Sequence, residues 1–189
     1  AISRYETYRK QYKNLPLSMH YALGKALFDA GLVGKASNLL RLIPKANELY
    51  IRARYLMATS GIDKRSAKES IKLYKLIEDS PAVSVEDHSL KQMAILAQAR
   101  IYLDANRDDL AAKTYERVLL TGPVGETATI ELVRTLISRA EQALYNEGKF
   151  ARLSEPRRKR VGALAIQRAM AAIDRYRKVT EIDWRKPEL

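Results

Sequence analysis

Apolar positions recur every three or four residues along nearly the whole chain, and Gly and Pro fall mostly between the periodic runs. This spacing is typical of amphipathic helices, and no stretch alternates between apolar and polar residues as a half-buried strand would. The pattern therefore predicts an all-α fold. We expect nine helices, over residues 2–13, 18–30, 33–43, 45–60, 64–79, 87–104, 108–121, 126–148 and 158–180.

The stretch from Ile95 to Pro123 predicts a helical hairpin most clearly. Asn106 tolerates a left-handed backbone conformation and would end the first helix. Asp108 and Asp109 follow where a second helix would begin, and acidic side chains favour a helix N-terminus. Gly122-Pro123 would end that second helix. The apolar faces that would meet are Ile95, Ala99 and Tyr102 on the first helix and Ala111, Tyr115 and Val118 on the second.

The order of small, aromatic, turn and proline positions in this stretch resembles one unit of the tetratricopeptide repeat family, as found in bacterial-type helical repeat proteins. The positions that carry the resemblance are Ala99, Tyr102, Asn106, Ala111, Tyr115, Val118 and Pro123. The resemblance implies a right-handed solenoid of antiparallel helix pairs. It also implies a surface that binds a partner rather than an enzyme pocket.

Looser copies of the same pattern extend in both directions, and we interpret residues 1–189 as a single domain. In the copy over 17–44, Gly24 is the close-packing residue, Gly31 the turn and Leu40 the large residue of the second helix. Residues 1–16 would form an N-terminal cap or half repeat, with Tyr5, Tyr8 and Tyr12 in one stripe. Further repeats would cover 45–82, with its turn at Gly61, and 87–123. A divergent repeat or capping hairpin (126–180) and a tail with Trp184 (181–189) would follow.

In the last helical pair, the sequence predicts an apolar stripe on helix 126–148. Its members are Ile130, Val133, Leu136, Ile137, Ala140 and Leu144, and Gly148 would end the helix.

The composition narrows the class of protein. The 34 Lys and Arg residues exceed the 22 Asp and Glu residues, which gives a net charge of +12 and favours acidic partners. The absence of cysteine excludes disulfides and thiol catalysis and suits either the cytoplasm or the periplasm. Because no run of about 18 apolar residues occurs, we expect no membrane span.

Few residues suggest catalysis. His20 and His88 are the only histidines and lie far apart in the sequence, whereas a metal site needs three or four convergent ligands. No phosphate-binding glycine loop or nucleophile elbow occurs. Helix capping explains Glu86-Asp87 and Asp108-Asp109 better than acid–base chemistry does. We therefore expect a protein that is not an enzyme and that has no metal site or cofactor.

The resemblance implies that the first helices of successive units line a concave groove. Lys25, Arg54 and Arg100 each follow the small packing residue of such a helix, and Tyr21 and Tyr50 lie one turn before Lys25 and Arg54. We expect these five residues to form a basic, tyrosine-flanked ladder that binds an acidic peptide or protein segment. The arrangement is similar to the carboxylate-clamp subgroup of the family, but that subgroup also uses asparagine, which these positions lack.

A second basic cluster offers an alternative function. Six cations crowd one short stretch with a single acid, Glu155, and could bind the phosphates of nucleic acid; they are Lys149, Arg152, Arg157, Arg158, Lys159 and Arg160. Only Phe150 supplies an aromatic ring nearby, so we rank nucleic acid below a protein partner. A third alternative is self-association, in which the end of the solenoid stacks on another copy of the chain.

Overall fold

The computed structural model describes Thr7 and residues 15–59 and 67–184, with side chains through residue 179. Across 15–59 and 67–184 the chain is helical without any β-strand, so the all-α prediction is confirmed there. No helix in these ranges is both long and apolar enough to cross a membrane. The helices are α1 (Leu17–Asp29), α2 (Val33–Leu40), α3 (Tyr50–Thr59), α4 (Ala67–Glu78), α5 (Val85–Asp104), α6 (Asp108–Tyr115), α7 (Gly122–Leu144), a 3-10 helix (Gly148–Phe150) and α8 (Glu155–Trp184).

Several predicted features fall outside the described residues. Thr7 is helical, but the rest of the predicted helix 2–13, with the stripe of Tyr5, Tyr8 and Tyr12, is not described. The same holds for the turn at Gly61 and for the side chain of Trp184.

The chain divides into two compact units, and the boundary lies inside α5. Unit 1 is Ala1–Ala94 and unit 2 is Ile95–Leu189. In unit 1, α1 packs on α2, α2 contacts α3, and α3 packs on α4. In unit 2, α7 packs on both α6 and α8 and also contacts the 3-10 helix.

Left-handed residues close the helix pairs. Gly31 has φ +74° and Asn106 has φ +55°, as their predicted turn roles require. The residue after each left-handed one donates its N–H back to a carbonyl of the last helical turn, Leu32 to Leu27 and Arg107 to Tyr102, both at 2.8 Å. This bonding satisfies carbonyls that a helix end leaves unpaired. Asn146 (φ +69°) closes α7 in the same way, so α7 ends before the predicted stop at Gly148.

Small residues allow the paired helices to approach closely. A Cβ atom at Gly24 would lie 2.6 Å from Leu40 Cδ2, which explains the glycine. In unit 2, Ala99 is buried in one cluster with Tyr115 and Val118, as predicted. The other buried members of this cluster are Ile95, Leu96, Ala111, Ala112, Ala128, Leu132, Leu136 and Ala169.

α2 and α6 end several residues before their predicted last residues. α2 ends at Leu40 rather than residue 43, and α6 ends at Tyr115 rather than residue 121. The chain then tightens into i→i−3 hydrogen bonds, from Ile43 to Leu40 and from Val118 to Tyr115. The assignment of Gly122-Pro123 to the end of α6 is wrong, because these residues begin α7. Proline fits the first turn of a helix, where its missing N–H costs no hydrogen bond.

Side-chain hydrogen bonds set two helix starts. The Oδ1 atom of Asn47 accepts the N–H of Leu49 at 3.0 Å, and this local turn delays α3 until Tyr50 instead of residue 45. α5 begins at Val85, two residues before the prediction, because Ser84 and Asp87 exchange hydrogen bonds between their side chains and backbones. This capping box confirms the predicted capping role for Asp87.

The predicted apolar stripe of α7 is wrong in part. Ile130, Ile137 and Leu144 are exposed, whereas Leu136 and Ala140 are buried as predicted. The buried face instead consists mostly of small and polar residues, because α7 packs closely on neighbouring helices. Its members are Gly125, Ala128, Thr129, Leu132, Thr135, Leu136, Ala140 and Ala143.

We predict that Gly125→Ala lowers the free energy of unfolding by about 1–3 kcal/mol. A Cβ atom at Gly125 would lie 2.6 Å from the backbone carbonyl carbon of Leu120, and backbone cannot rotate aside. Gly34→Ala is the matched control, since its Cβ would meet nothing within 4 Å inside α2. The control should gain about 0.5–1 kcal/mol from helix propensity alone. Urea unfolding followed by circular dichroism measures both, and a stabilised Gly125→Ala variant would contradict the packing described.

Candidate functional site

An open groove of about 430 Å³ lies in unit 1 between α3 and α4, at the C-terminal end of α2. Hereafter this is the unit 1 groove. Its lining combines an apolar surface with three cations and one acid. The lining residues are Arg41, Tyr50, Arg54, Met57, Glu69, Lys72, Leu73 and Leu76.

Arg54 joins the groove to the end of α2. Its guanidinium lies over the ring of Tyr50, 4.6 Å from the ring centroid. It also donates to the carbonyl oxygens of Leu40, Arg41 and Ile43 at 3.3–3.5 Å. The carbonyl of Leu40 belongs to the last turn of α2, where acceptors are left unpaired, and those of Arg41 and Ile43 follow directly after the helix. Arg54 therefore stabilises the end of α2 while it places positive charge at the groove edge.

The remaining cations of the unit 1 groove have no partner among the described residues. Arg41 and Lys72 are exposed, and neither side chain forms a hydrogen bond or ion pair within the described part of the chain. Leu73 and Leu76 lie beside them on α4. The groove thus offers unpaired positive charge next to apolar surface, which is the combination that a peptide with both acidic and apolar side chains requires.

A second open groove, of about 470 Å³, lies in unit 2 and is lined by α5, the end of α6 and α7. We call it the unit 2 groove. It is more polar than the unit 1 groove and carries two acids as well as two cations. Its lining residues are Arg100, Leu103, Asp104, Tyr115, Glu131, Arg134, Thr135 and Ser138.

Glu131 holds together three helices at the unit 2 groove. Arg100 of α5 donates to both of its carboxylate oxygens, at 2.6–3.1 Å, and Tyr115 of α6 donates its hydroxyl at 2.9 Å. Burial, the hydrogen bond and the charge of Glu131 raise the pKa of Tyr115. Burial alone would raise the pKa of the Glu131 carboxyl, but the bonds from Arg100 and Tyr115 outweigh it and hold the pKa below its ordinary value.

The structure brings some of the predicted groove residues together. Tyr50 and Arg54 line one groove, the unit 1 groove. Lys25 is exposed on α1, and Tyr21 is half-buried near Arg52 and Glu86, where burial raises its pKa. Arg100 belongs to unit 2 and is paired with an internal carboxylate. The alignment of Lys25, Arg54 and Arg100 in one ladder stays a prediction.

Sequence reasoning missed three residues that shape the grooves. Glu131 follows Arg100 by 31 residues, so no local pattern indicates that the two form an ion pair. Arg41 and Lys72 belong to the second helices of their hairpins, whereas the resemblance directed attention to the first helices. The signal for Lys72 was available in the sequence, since it lies one turn from the apolar Leu76 on an amphipathic helix.

Half of the second basic cluster is occupied by protein acceptors. Lys149 lies 2.5 Å from Asp108 Oδ2, Arg158 donates to the carbonyl of Leu153 at 2.7 Å, and Lys159 pairs with Glu155 at 2.7 Å. The other three cations are exposed and have no partner in the described part of the chain; they are Arg152, Arg157 and Arg160.

The histidines lie outside both grooves. His20 is half-buried beside the carbonyl of Pro16, and His88 is exposed on α5. Within residues 15–59 and 67–179, no three His, Asp or Glu side chains converge so that they could hold a metal ion. Comparison of the chain with protein-family models, with curated proteins and with solved structures finds no match. The function of the chain must therefore be inferred from the geometry of its two units.

We predict that Glu131 makes unit 2 sensitive to acid. Because its pKa is lower in the folded than in the unfolded chain, its stabilisation is complete above the unfolded value of about 4.3 and is lost as the pH falls through the folded value. Between pH 7 and pH 3, wild type should therefore lose about 1 kcal/mol more stability than Glu131→Gln. Denaturant unfolding at each pH measures this difference.

The control variant is Glu126→Gln. It removes an exposed α7 carboxylate that forms no ion pair in the described part of the chain, and its loss of stability in acid should equal that of wild type. An equal acid sensitivity in wild type and Glu131→Gln would refute the role of Glu131.

Proposed function

We propose that this chain is a non-catalytic scaffold or adaptor that binds an acidic segment of a partner protein in the unit 1 groove. One observation supports this most strongly: Arg41 and Lys72 are exposed beside an apolar groove surface, and their side chains have no partner in the described part of the chain. Free cations on a solvated surface are common, but here Leu73 and Leu76 line the same groove and offer apolar area to the same ligand. The tetratricopeptide-like arrangement of the helices remains part of this proposal.

The chemistry of the groove favours a peptide over a small molecule. The groove is open and shallow, whereas small-molecule sites bury most of their ligand in an enclosed cavity. A peptide can place a carboxylate against each cation of the groove and can pack an apolar side chain on Met57 or Leu73. Arg54 contributes a rigid edge, because its contacts with the end of α2 and with Tyr50 fix its position.

The two grooves differ in their readiness for an acidic ligand. In the unit 2 groove Glu131 already occupies Arg100, so an incoming carboxylate would have to displace it. In the unit 1 groove, which Glu69 also lines, Arg41 and Lys72 form no ion pair with an acid in the described part of the chain. We therefore assign the main binding site to unit 1, and the ladder of Lys25, Arg54 and Arg100 is the extended form of this proposal.

Charge reversal tests the unit 1 groove. The probe is a fluorescent peptide of alternating Glu and Leu, and its affinity is measured by anisotropy. Arg41→Glu with Lys72→Glu should weaken binding about tenfold or more, since two charge-assisted contacts become repulsive. Lys75→Glu is the control, because Lys75 is exposed on α4 but outside the groove lining. Equal losses in the two variants, or none, would disprove the proposed site.

The alternative function is nucleic-acid binding through the second basic cluster. Its support is the set of three unpaired cations Arg152, Arg157 and Arg160 near the start of α8. Phosphate contacts of this kind release counterions, so binding should weaken steeply with salt.

Neutralising these three residues to Gln separates the two functions. Under our proposal the triple variant binds the acidic peptide as wild type does, and wild type binds duplex DNA only weakly at physiological salt. If wild type binds DNA tightly and the triple variant does not, while the peptide fails to bind either protein, the alternative replaces the proposal.

A further inference from the structure

Six large apolar side chains are exposed on two packed helices of unit 2, and all but Leu164 of α8 lie in the two rows described below. Each is between 43% and 62% exposed, although the same helices bury Leu132, Leu136 and Ala169 in the core of the unit. We call this surface the α7/α8 face, and its members are Ile130, Ile137, Leu144, Ile166 and Met170.

Helix geometry places the members in two rows. Ile130, Ile137 and Leu144 are seven residues apart, nearly two full turns, so they project from one side of α7. Ile166 and Met170 are four residues apart and share one side of α8. Exposed apolar rows at such spacing are typical of helices that pack against a further partner.

The two rows adjoin. Gly162 of α8 approaches Leu144 so closely that a Cβ there would lie 3.1 Å from Leu144 Cγ. Ile166 follows Gly162 by one turn. At the other end of the pair, Leu132 of α7 and Ala172 of α8 line the same small cavity, so the helices are antiparallel. The two rows of the α7/α8 face therefore lie along one pair of packed helices and adjoin where Leu144 meets Gly162.

One pair of charged residues beside the two rows is complementary. Leu144 lies level with Gly162, and both helices rise 1.5 Å per residue, so Arg134 lies about level with residue 172. Asp174 occupies α8 near this level, and neither the Arg134 nor the Asp174 side chain forms a hydrogen bond or ion pair in the described part of the chain. A cation on α7 thus stands level with an acid on α8.

We infer that the α7/α8 face binds the same face of a second copy of this chain. A twofold axis parallel to the helices lays α7 of one copy on α8 of the other, with their directions opposed as in a four-helix bundle. The axis brings Arg134 of each copy toward Asp174 of the other. Apolar rows then bury each other, and unlike charges meet beside them. This inference is independent of the proposed peptide site.

Sedimentation velocity over a range of concentrations tests the association. Wild type should reach twice the chain mass as concentration rises. Ile137→Lys with Met170→Lys should stay at the chain mass, since both side chains are exposed and their replacement leaves the core intact. Leu164→Lys is the matched control: Leu164 is exposed on α8 but lies two residues from Ile166, and so projects from another side of the helix. The control should dimerise like wild type.

The absence of cysteine allows a direct test of the geometry. Ile137 lies seven residues before Leu144 and is thus level with residue 169, next to Met170. When Ile137→Cys is mixed with a tagged Met170→Cys and oxidised, mixed disulfide dimers should predominate, and Leu164→Cys should give none. A protein that stays monomeric at every concentration overturns the inference. So does a dimer that the double lysine variant leaves intact, or that crosslinks equally through Leu164→Cys.

Discussion

The closure of helix pairs by a left-handed residue, seen at three of the described turns, is the constraint on which this structure depends. Gly31, Asn106 and Asn146 have positive φ, and each allows the chain to bond back to the last turn of the preceding helix. The return path then places the next helix against the previous one, where only a residue as small as Gly24 or Ala99 fits. The grooves and the exposed faces are the surfaces that this pairing leaves uncovered.

Internal pairing decides which cations can serve a ligand. Arg54 bonds to carbonyls at the end of α2, and Arg100 pairs with Glu131. Both arginines therefore stabilise the fold in addition to any role in binding. Arg41 and Lys72 lack such contacts in the described part of the chain. An ion pair at a half-exposed site contributes little stability, yet it removes a cation from the set that an acidic partner can reach. We therefore propose the unit 1 groove, rather than the unit 2 groove, as the site that binds an acidic partner.

The sequence predicted features that depend on one residue or on neighbours along a helix. The turns at Gly31 and Asn106 follow from backbone preference, and the buried stripe of α6 follows from helical spacing. Prediction from the sequence failed where contacts between segments far apart along the chain determine the structure. Glu131 reaches Arg100 across 31 residues, and Leu144 is exposed because α7 buries its smaller residues instead. Periodicity alone cannot tell which of two apolar rows will face a neighbouring helix.

Mapping a bound acidic peptide tests the central claim most directly. A Glu and Leu peptide that carries a photoreactive group can be crosslinked to the full chain, and the attachment sites can be identified by mass spectrometry. The account predicts crosslinks on α3 and α4 at the unit 1 groove, around Met57, Leu73 and Leu76. Crosslinks confined to the start of α8 near Arg157, or scattered over the surface, would contradict it.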